Sequence, residues 1–400
     1  MLKLVNARLI DGTGAGPQEG ATVLLDGSRI AAVYGPGSTP PSNDDPAIDL
    51  HGRSLLPGLI NAHIHILMDD TVGDTFGALQ RQSLAQVALQ GALRGRRILE
   101  AGITTARDLG GYEYVEMALR DAFARGEFPG PRLLCAGKLI TMTGGHGWPI
   151  GRQADGADEV RKAVREQLRA GADVIKLMAT GGVLTPGVEP GAAQLTEDEL
   201  RAGIEEAHRA DRRTASHAQG TTGVKNAIRA GIDSIEHGIY LDDEAVEMMR
   251  DRGVVLVPTL AAPYQIVVAG EARGIPAYAV EKSRRVMEAH FDSFKRAVAA
   301  GVTIAAGNDG GTPFNPAHDL VTELRLMITH GMSAVEALRT AGHGSAVALG
   351  LADEIGTVQA GKQADLLVVD GDPLADIAAL GWPWLVIKGG QVAYRAAGNH

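Results

Sequence analysis

Two patterns of apolar positions divide the chain. From residue 1 to 56, short apolar runs alternate with turn signals: KLVNARLI, DGTG, ATVLLDG and RIAAVYG. Alternation of this length, punctuated by Asp-Gly and Gly-rich turns, predicts β-hairpins. The stretch PGSTPPSNDDPA at 36–47 reads as a loop. Residues 356–400 repeat the style in GTVQAGKQ, ADLLVVD, GDP and LVIKGGQVAYR. Neither end is long enough to bury a core alone. The two are therefore expected to pair into one small β-sandwich domain, 1–56 plus 356–400.

Between them, short β-branched or apolar runs alternate with helical stretches. Strands are predicted at 55–65, 103–109, 131–137, 172–179, 213–218, 233–238, 254–260 and 302–309. Helical periodicity fills 77–100, 113–126, 157–170, 196–210, 221–230, 243–252 and 279–300. TEDE at 196–199 is an N-terminal capping signal, and Gly102, Gly171, Gly231 and Gly301 stand where helices stop. Eight strands alternating with helices predict an α/β fold, a (β/α)8 TIM-like barrel over 57–355. An open doubly wound sheet shares the alternation, but no GxGxxG follows a first strand.

Composition narrows the class. Hydrophobic residues are 45% and charged residues 22% of 400, ordinary for a globular protein. A net charge of -10 without a basic block speaks against nucleic acid as a partner. No apolar run is long enough for a membrane span, and the first residues lack a secretory pattern. A cytoplasmic protein is expected. One Cys excludes a disulfide framework and a Cys-based zinc cluster. The 52 Gly are in excess, and many crowd the expected βα loops, as at Gly144, Gly145, Gly147, Gly181 and Gly182.

Barrel active sites lie at the C-terminal ends of the strands. His63 and His65 end the first strand two positions apart, so both can face one side. Lys176 falls in the fourth strand, His217 and His237 end the fifth and sixth, and Asp309 ends the eighth. One such histidine is ordinarily a hydrogen-bonded core residue. Four with an aspartate, buried together, would leave polar groups unsatisfied. A divalent metal resolves this, since imidazole nitrogen and carboxylate oxygen suit zinc. An ammonium beside such cations would be repelled. A neutral Lys176 can instead take up carbon dioxide, and the resulting carbamate is an anionic ligand with two oxygens.

The motifs PGLINAHIH (57–65), ADVIKLMATGG (172–182), TASHAQG (214–220), SIEHG (234–238) and AAGNDGG (305–311) resemble those of the amidohydrolase superfamily. GKQADLLVVDGDP (361–373) resembles its return into the terminal β domain. The likeness covers nearly the whole chain. With TGGHG (143–147) and IEHGIYLDDE (235–244), it points to the metallo-dipeptidase and imidazolonepropionase-like subgroup. The resemblance implies two divalent ions, zinc being the expected metal. His63, His65 and Asp309 would hold one, His217 and His237 the other, and N-carboxylated Lys176 would bridge them. It implies that His146 and Tyr240 contact substrate. It further implies a metal-bridging hydroxide as nucleophile and Asp309 as general acid and base.

The expected activity is amide hydrolysis by a dipeptidase or carboxypeptidase-like enzyme acting on a small-molecule or dipeptide-like substrate. Hydrolysis of an N-acyl amino acid, an ochratoxin-like arylamide or an imidazolone-type cyclic amide would use the same ligands. A Schiff-base lyase using Lys176 leaves the four histidines unexplained, and a non-catalytic scaffold would be expected to lack ligands. Substrate choice is expected in loops 66–76, 141–153, 180–194 and 261–278. Arg152 is a candidate for a substrate carboxylate, although a solvated loop arginine is the commoner case. Asp108 in TTARDLGG reads as structural. AGHGSAVALGL (341–351) departs from the family pattern, with Gly and His where capping residues are common. Association of copies through outer helices such as 279–300 and 318–330 stays open.

Overall fold

In the computed structural model, which describes residues 1–38 and 45–397, the chain begins with five strands. They are β1 Leu2–Leu9, β2 Gln18–Asp26, β3 Arg29–Tyr34, β4 Ala47–Asp49 and β5 Ser54–Pro57. Nine more follow through the middle of the chain: β6 Leu59–Ile64, β7 Ile103–Asp108, β8 Arg132–Cys135, β9 Ile140–Thr141, β10 Arg152–Gln153, β11 Val174–Met178, β12 Arg213–Ala218, β13 Ser234–His237 and β14 Val255–Val257. The last are β15 Leu366–Val369, β16 Pro383–Lys388 and β17 Gln391–Arg395. Half of the expected 36–47 loop, residues 39–44, and the end of the 356–400 segment, residues 398–400, lie outside the described residues.

The two chain ends meet in one sheet of order β17-β16-β15-β5-β1-β2-β3, with β4 beside β1. The join is β5 against β15, antiparallel, with Pro57 opposite Leu366 and Ser54 opposite Val369. Strand alternation assigns the two faces. Leu55, Leu366, Val368, Leu385 and Ile387 enter a core of the sheet's own, shared with Leu4, Val23 and Ile30. Their neighbours Leu56, Leu367, Val369 and Val386 point the other way, into the main core. The sheet is thus curled around one set of side chains and docked on the barrel through the other.

In the middle, β9 to β14 form a parallel sheet of order β10-β9-β11-β12-β13-β14, and β6, β7 and β8 form a second. Asp173 N–H donates to Cys135 O at 2.8 Å and joins β8 to β11. The other seam is closed by residues 303–310, where Leu256 N donates to Thr303 O, Ala62 N to Ala306 O and His65 N to Gly310 O. The eighth strand expected at 302–309 is present only as these bridges, at Ile304 and Gly310. The ring fits a TIM-like barrel.

Two expectations change. The strand expected at 55–65 is two strands broken at Gly58, where a Cβ would lie 2.3 Å from Thr104 Oγ1. Its first half belongs to the terminal sheet, so Pro57 stays with that sheet. The helix expected at 77–100 is also two, Thr75–Gln80 and Leu84–Glu100, because Ser83 and Gln86 form a capping box that starts the second. Thr196 and Glu199 form the expected box at helix Glu197–Arg209, and Gly171 and Gly231 close their helices with left-handed φ. The segment 341–351 continues the preceding helix through a wide turn at Thr340–Gly344. Gly344 is needed there because a Cβ would lie 2.2 Å from Ile304 O. Residues 261–278, expected as loop, contain the apolar helix Ala261–Ala269. Among the described residues no helix is long and apolar enough to cross a membrane.

Candidate active site

The strand ends bring five imidazoles into a row. Ring centroids are 5.4 Å apart for His65 and His63, 5.3 Å for His63 and His237, and 4.5 Å for both His237–His217 and His217–His146. Asp309 Oδ1 lies 3.3 Å from His63 Nε2 and 3.2 Å from His65 Nε2. Lys176 is buried below them, two residues from Met178 on β11, and both line the same cleft. His237 and Asp309 have φ of 73° and 53°, and Thr259 has 53°. Left-handed backbone at such residues costs about 1–3 kcal/mol each and clusters at functional sites. At His237 it breaks the strand alternation, so that adjacent Glu236 and His237 can both face the site.

Each ring is held from behind. His65 Nδ1 is 3.1 Å from Gly110 O, His217 Nε2 2.9 Å from Gly181 O, and His237 Nδ1 2.7 Å from Thr259 Oγ1. His63 Nδ1 stands 2.9 Å from Glu236 Oε2, a contact of charge without good hydrogen-bond alignment. A carbonyl partner keeps the proton on the nitrogen facing it and leaves the other bare for a ligand. Asp108 reads as structural here too: its carboxylate accepts from Ile66 N at 2.7 Å and Gly110 N at 3.1 Å, fixing the turn that holds His65.

Burial sets the charges. It lowers His63 to about 4 and His146 to about 3, and holds His217 and His237 well below the usual range. It also brings Lys176 down to about 8, with Glu236 and Asp309 opposing. Burial would lower His65 too, but Asp309 leaves it raised. Burial would raise Asp309, and the charges of His63, His65 and Lys176 lower it instead. Neutral His63, His217 and His237, an ionised Asp309 and an amine with a reachable neutral form are states that metal ligation and carbamate formation require, while His65 keeps its proton for Asp309 until a cation takes its place.

The donor set fits a divalent cation at one end. Asp309 Oδ1 is sealed from solvent without a hydrogen-bond partner. One ligand atom each from His63, His65 and Asp309 lie within 4.8 Å of one another. The empty space of the cleft above them, its open mouth included, is about 700 Å³. Its walls include Phe76, Leu139, Ile150, Met178, Ile239 and Ile266, and Lys176 is its only Lys or Arg among the described residues.

His146 lines this cleft, and Gly182 makes room for it, since a Cβ there would lie 2.3 Å from His146 Nε2. Tyr240 is not in the cleft wall. Its backbone N donates to Gln219 O, and its half-buried ring packs at the rim with Val183, Ile239 and Ile266. Arg152 is outside the cleft too; its guanidinium is bound to Glu166 at 2.8 Å and Glu159 at 3.1 Å. The expected loop arginine is therefore committed to two protein carboxylates.

Three features behind the site escape sequence reasoning. Arg107 on β7, fully buried, donates to Ala62 O at 2.7 Å, Ser234 Oγ at 3.2 Å and Glu236 Oε1 at 2.9 Å. Burial alone would raise Glu236, yet Arg107, His63 and Lys176 bring it to about 2. The available signal was charge inside short apolar strands: Arg107 beside Asp108 in ITTARD and Glu236 in SIEH. Asn308 is tied to Asn61, and Asn315 donates to Asp309 O at 3.2 Å, which fixes the loop carrying Asp309. His290, on helix Ala277–Ala299, has Nε2 3.0 Å from His237 O and 2.7 Å from Pro258 O.

A β/α ring with a convergent polar floor at its C-terminal mouth and an apolar-walled cleft above it is a barrel enzyme. Residues 54–393 match the amidohydrolase family, and the chain belongs to that family. It is 32% identical over 419 aligned residues to ochratoxinase of Aspergillus niger, covering 96% of this chain and 85% of that protein. It is 27% identical to imidazolonepropionase of Sphingopyxis alaskensis, over 96% of each chain. A solved Xaa-Pro dipeptidase with methionine bound in its active site superposes with a TM-score of 0.91 at 32% identity, covering 99% of this chain and 100% of that one. The protein is accordingly a hydrolase acting on C–N bonds. The family generally uses divalent metals and a carboxylated lysine.

Proposed function

We propose that the chain hydrolyses an amide bond and releases an amino acid, as a dipeptidase or carboxypeptidase-like enzyme whose substrate carries an apolar acyl side. The observation that supports this most directly is the cleft: four imidazoles, an amine and a carboxylate form its floor and apolar side chains form its walls. His63, His65 and Asp309 would hold one divalent ion, zinc in this proposal, and His217 and His237 a second, with Lys176 as its carbamate between them. Such ions, when bound, polarise a carbonyl and acidify water.

The chain's own groups do the rest. The apolar walls hold the acyl group and exclude water from the floor. Asp309 accepts the proton of the attacking water at Oδ2, the oxygen left free by the metal, and delivers it to the leaving nitrogen, which departs as an amine. His146 offers an N–H to the carbonyl oxygen as it gains charge. Tyr240 closes the rim. The terminal strands, 1–56 with 356–400, form a small sandwich unit beside a catalytic barrel, 57–355, in the same proposal.

The apolar walls of the cleft favour a second reading within this class. An N-acyl amino acid or arylamide places more apolar surface in the cleft than a dipeptide does. The test is a zinc- or manganese-loaded screen of Xaa-Pro and other dipeptides, N-acyl amino acids, arylamides and cyclic amides, reading free amino acid. Release from dipeptides or N-acyl amino acids is the expected result. Turnover of cyclic amides alone would overturn the proposal.

A further inference from the structure

We infer that Thr185 is a positioning residue that fixes His146 as the tautomer protonated on Nε2, the nitrogen turned toward the cleft. Thr185 lies in the 180–194 segment and is 2% exposed. Its Oγ1 receives the Gly147 N–H at 3.1 Å and lies 2.8 Å from His146 Nδ1. A hydroxyl has one proton to donate. Among the described residues, His146 Nδ1 is the acceptor within its reach. If Nδ1 carried the ring proton, the Thr185 hydroxyl proton would be buried without a partner, which folded proteins avoid. The hydroxyl therefore donates to Nδ1, and the ring proton sits on Nε2.

The surroundings hold both groups in this arrangement. Lys282 Nζ donates to Thr185 O at 2.9 Å, and Tyr278 Oη to Leu184 O at 3.0 Å, so helix Ala277–Ala299 pins the segment from outside. His146 N–H donates to Gln194 Oε1 at 3.0 Å, and that holds the ring's own backbone. His146 Nε2 has no partner among the described residues and lies over Gly182, which carries no side chain to cover it. His65 and His217, each backed by a carbonyl, turn a bare nitrogen to the floor. His146 presents a donor, and that is the polarity an oxygen gaining negative charge needs.

The consequence for catalysis rests on the proposed contact between His146 and the substrate carbonyl, whereas the tautomer does not. Zinc-loaded protein carrying 15N-histidine is examined by long-range 1H–15N correlation, with the His146 signals identified by their loss in His146→Asn. The expected result is protonation on Nε2. Thr185→Val should shift the ring toward the Nδ1-protonated form and lower kcat about 100-fold with KM and bound metal unchanged. Thr185→Ser, which keeps the hydroxyl, should restore both. An Nδ1-protonated parent overturns the inference, as does a Thr185→Val variant that loses turnover with its tautomer unchanged. Parental turnover in His146→Asn would instead overturn the substrate contact on which the catalytic consequence rests.

Discussion

Replacing Glu236 with Gln tests the electrostatic design of the barrel interior. The carboxylate is fully buried, 2.9 Å from Arg107 and 2.9 Å from His63. Its proton affinity is depressed from 4.5 to about 2. A depressed carboxylate stabilises the fold in full above its unfolded pKa, and that contribution is lost as pH falls from about 4.5 toward about 2. The shift corresponds to about 3 kcal/mol at neutral pH. This matches the roughly 3–5 kcal/mol expected when one partner of a buried pair is removed. Arg107→Leu should cost at least as much, because it also removes donors from Ala62 O and Ser234 Oγ. The double variant Arg107→Leu/Glu236→Leu should be more stable than the worse single variant, since no lone buried charge remains. Urea unfolding of Arg107→Leu, Glu236→Leu and the double variant at pH 7, with and without chelator, completes the cycle. Costs that add to within about 0.5 kcal/mol would refute a coupled pair.

Four further outcomes concern other groups in and around the barrel mouth. Burial raises Glu323 to about 8, where it accepts Leu260 N and Ala261 N; stability should therefore fall as pH rises from 4.5 through 8, and urea unfolding of Glu323→Gln should lose up to about 1.4 kcal/mol per pH unit of that slope. Gly182→Ala places a Cβ against His146 Nε2, so kcat should fall about tenfold or more while metal analysis reads parental content. Under the proposed function, Asp309→Asn keeps much of its metal but loses turnover, and Lys176→Ala loses both metal and activity. Two equivalents of metal in Lys176→Ala would sink the bridging role.

What local spacing encodes, the sequence carried openly. The Gly-closed helices and the capping box at Thr196 involve neighbours a few residues apart, and they stand where the pattern placed them. The strand-end residues His63, His65, Lys176, His217, His237 and Asp309 converge because a parallel barrel aligns all its strand ends. The supporting groups depend on contacts between distant segments. Arg107 and Glu236 meet across 129 positions, and Thr185 reaches back 39 to His146. Neither pairing has a period to detect. Tyr240 sits in an irregular segment and Arg152 opens a two-residue strand, where a backbone bond to Gln219 and ion pairs to Glu159 and Glu166 hold them. The apolar helix Ala261–Ala269 lacks a polar face, and so carried no helical signature.

The pairing of Pro57 with Leu366 has a consequence for how the protein is made. At about 5–20 residues per second, roughly 15–60 s of synthesis separate the two strands. Through that interval the edge of β5 has no partner, while the barrel sequence emerges beside it. The first five strands are a half-finished sheet on the ribosome, and such an edge invites association with other chains. The sheet is completed only once β15 has left the exit tunnel and docked. Recovery of folded protein should therefore depend on translation rate and chaperone supply more than its equilibrium stability would suggest.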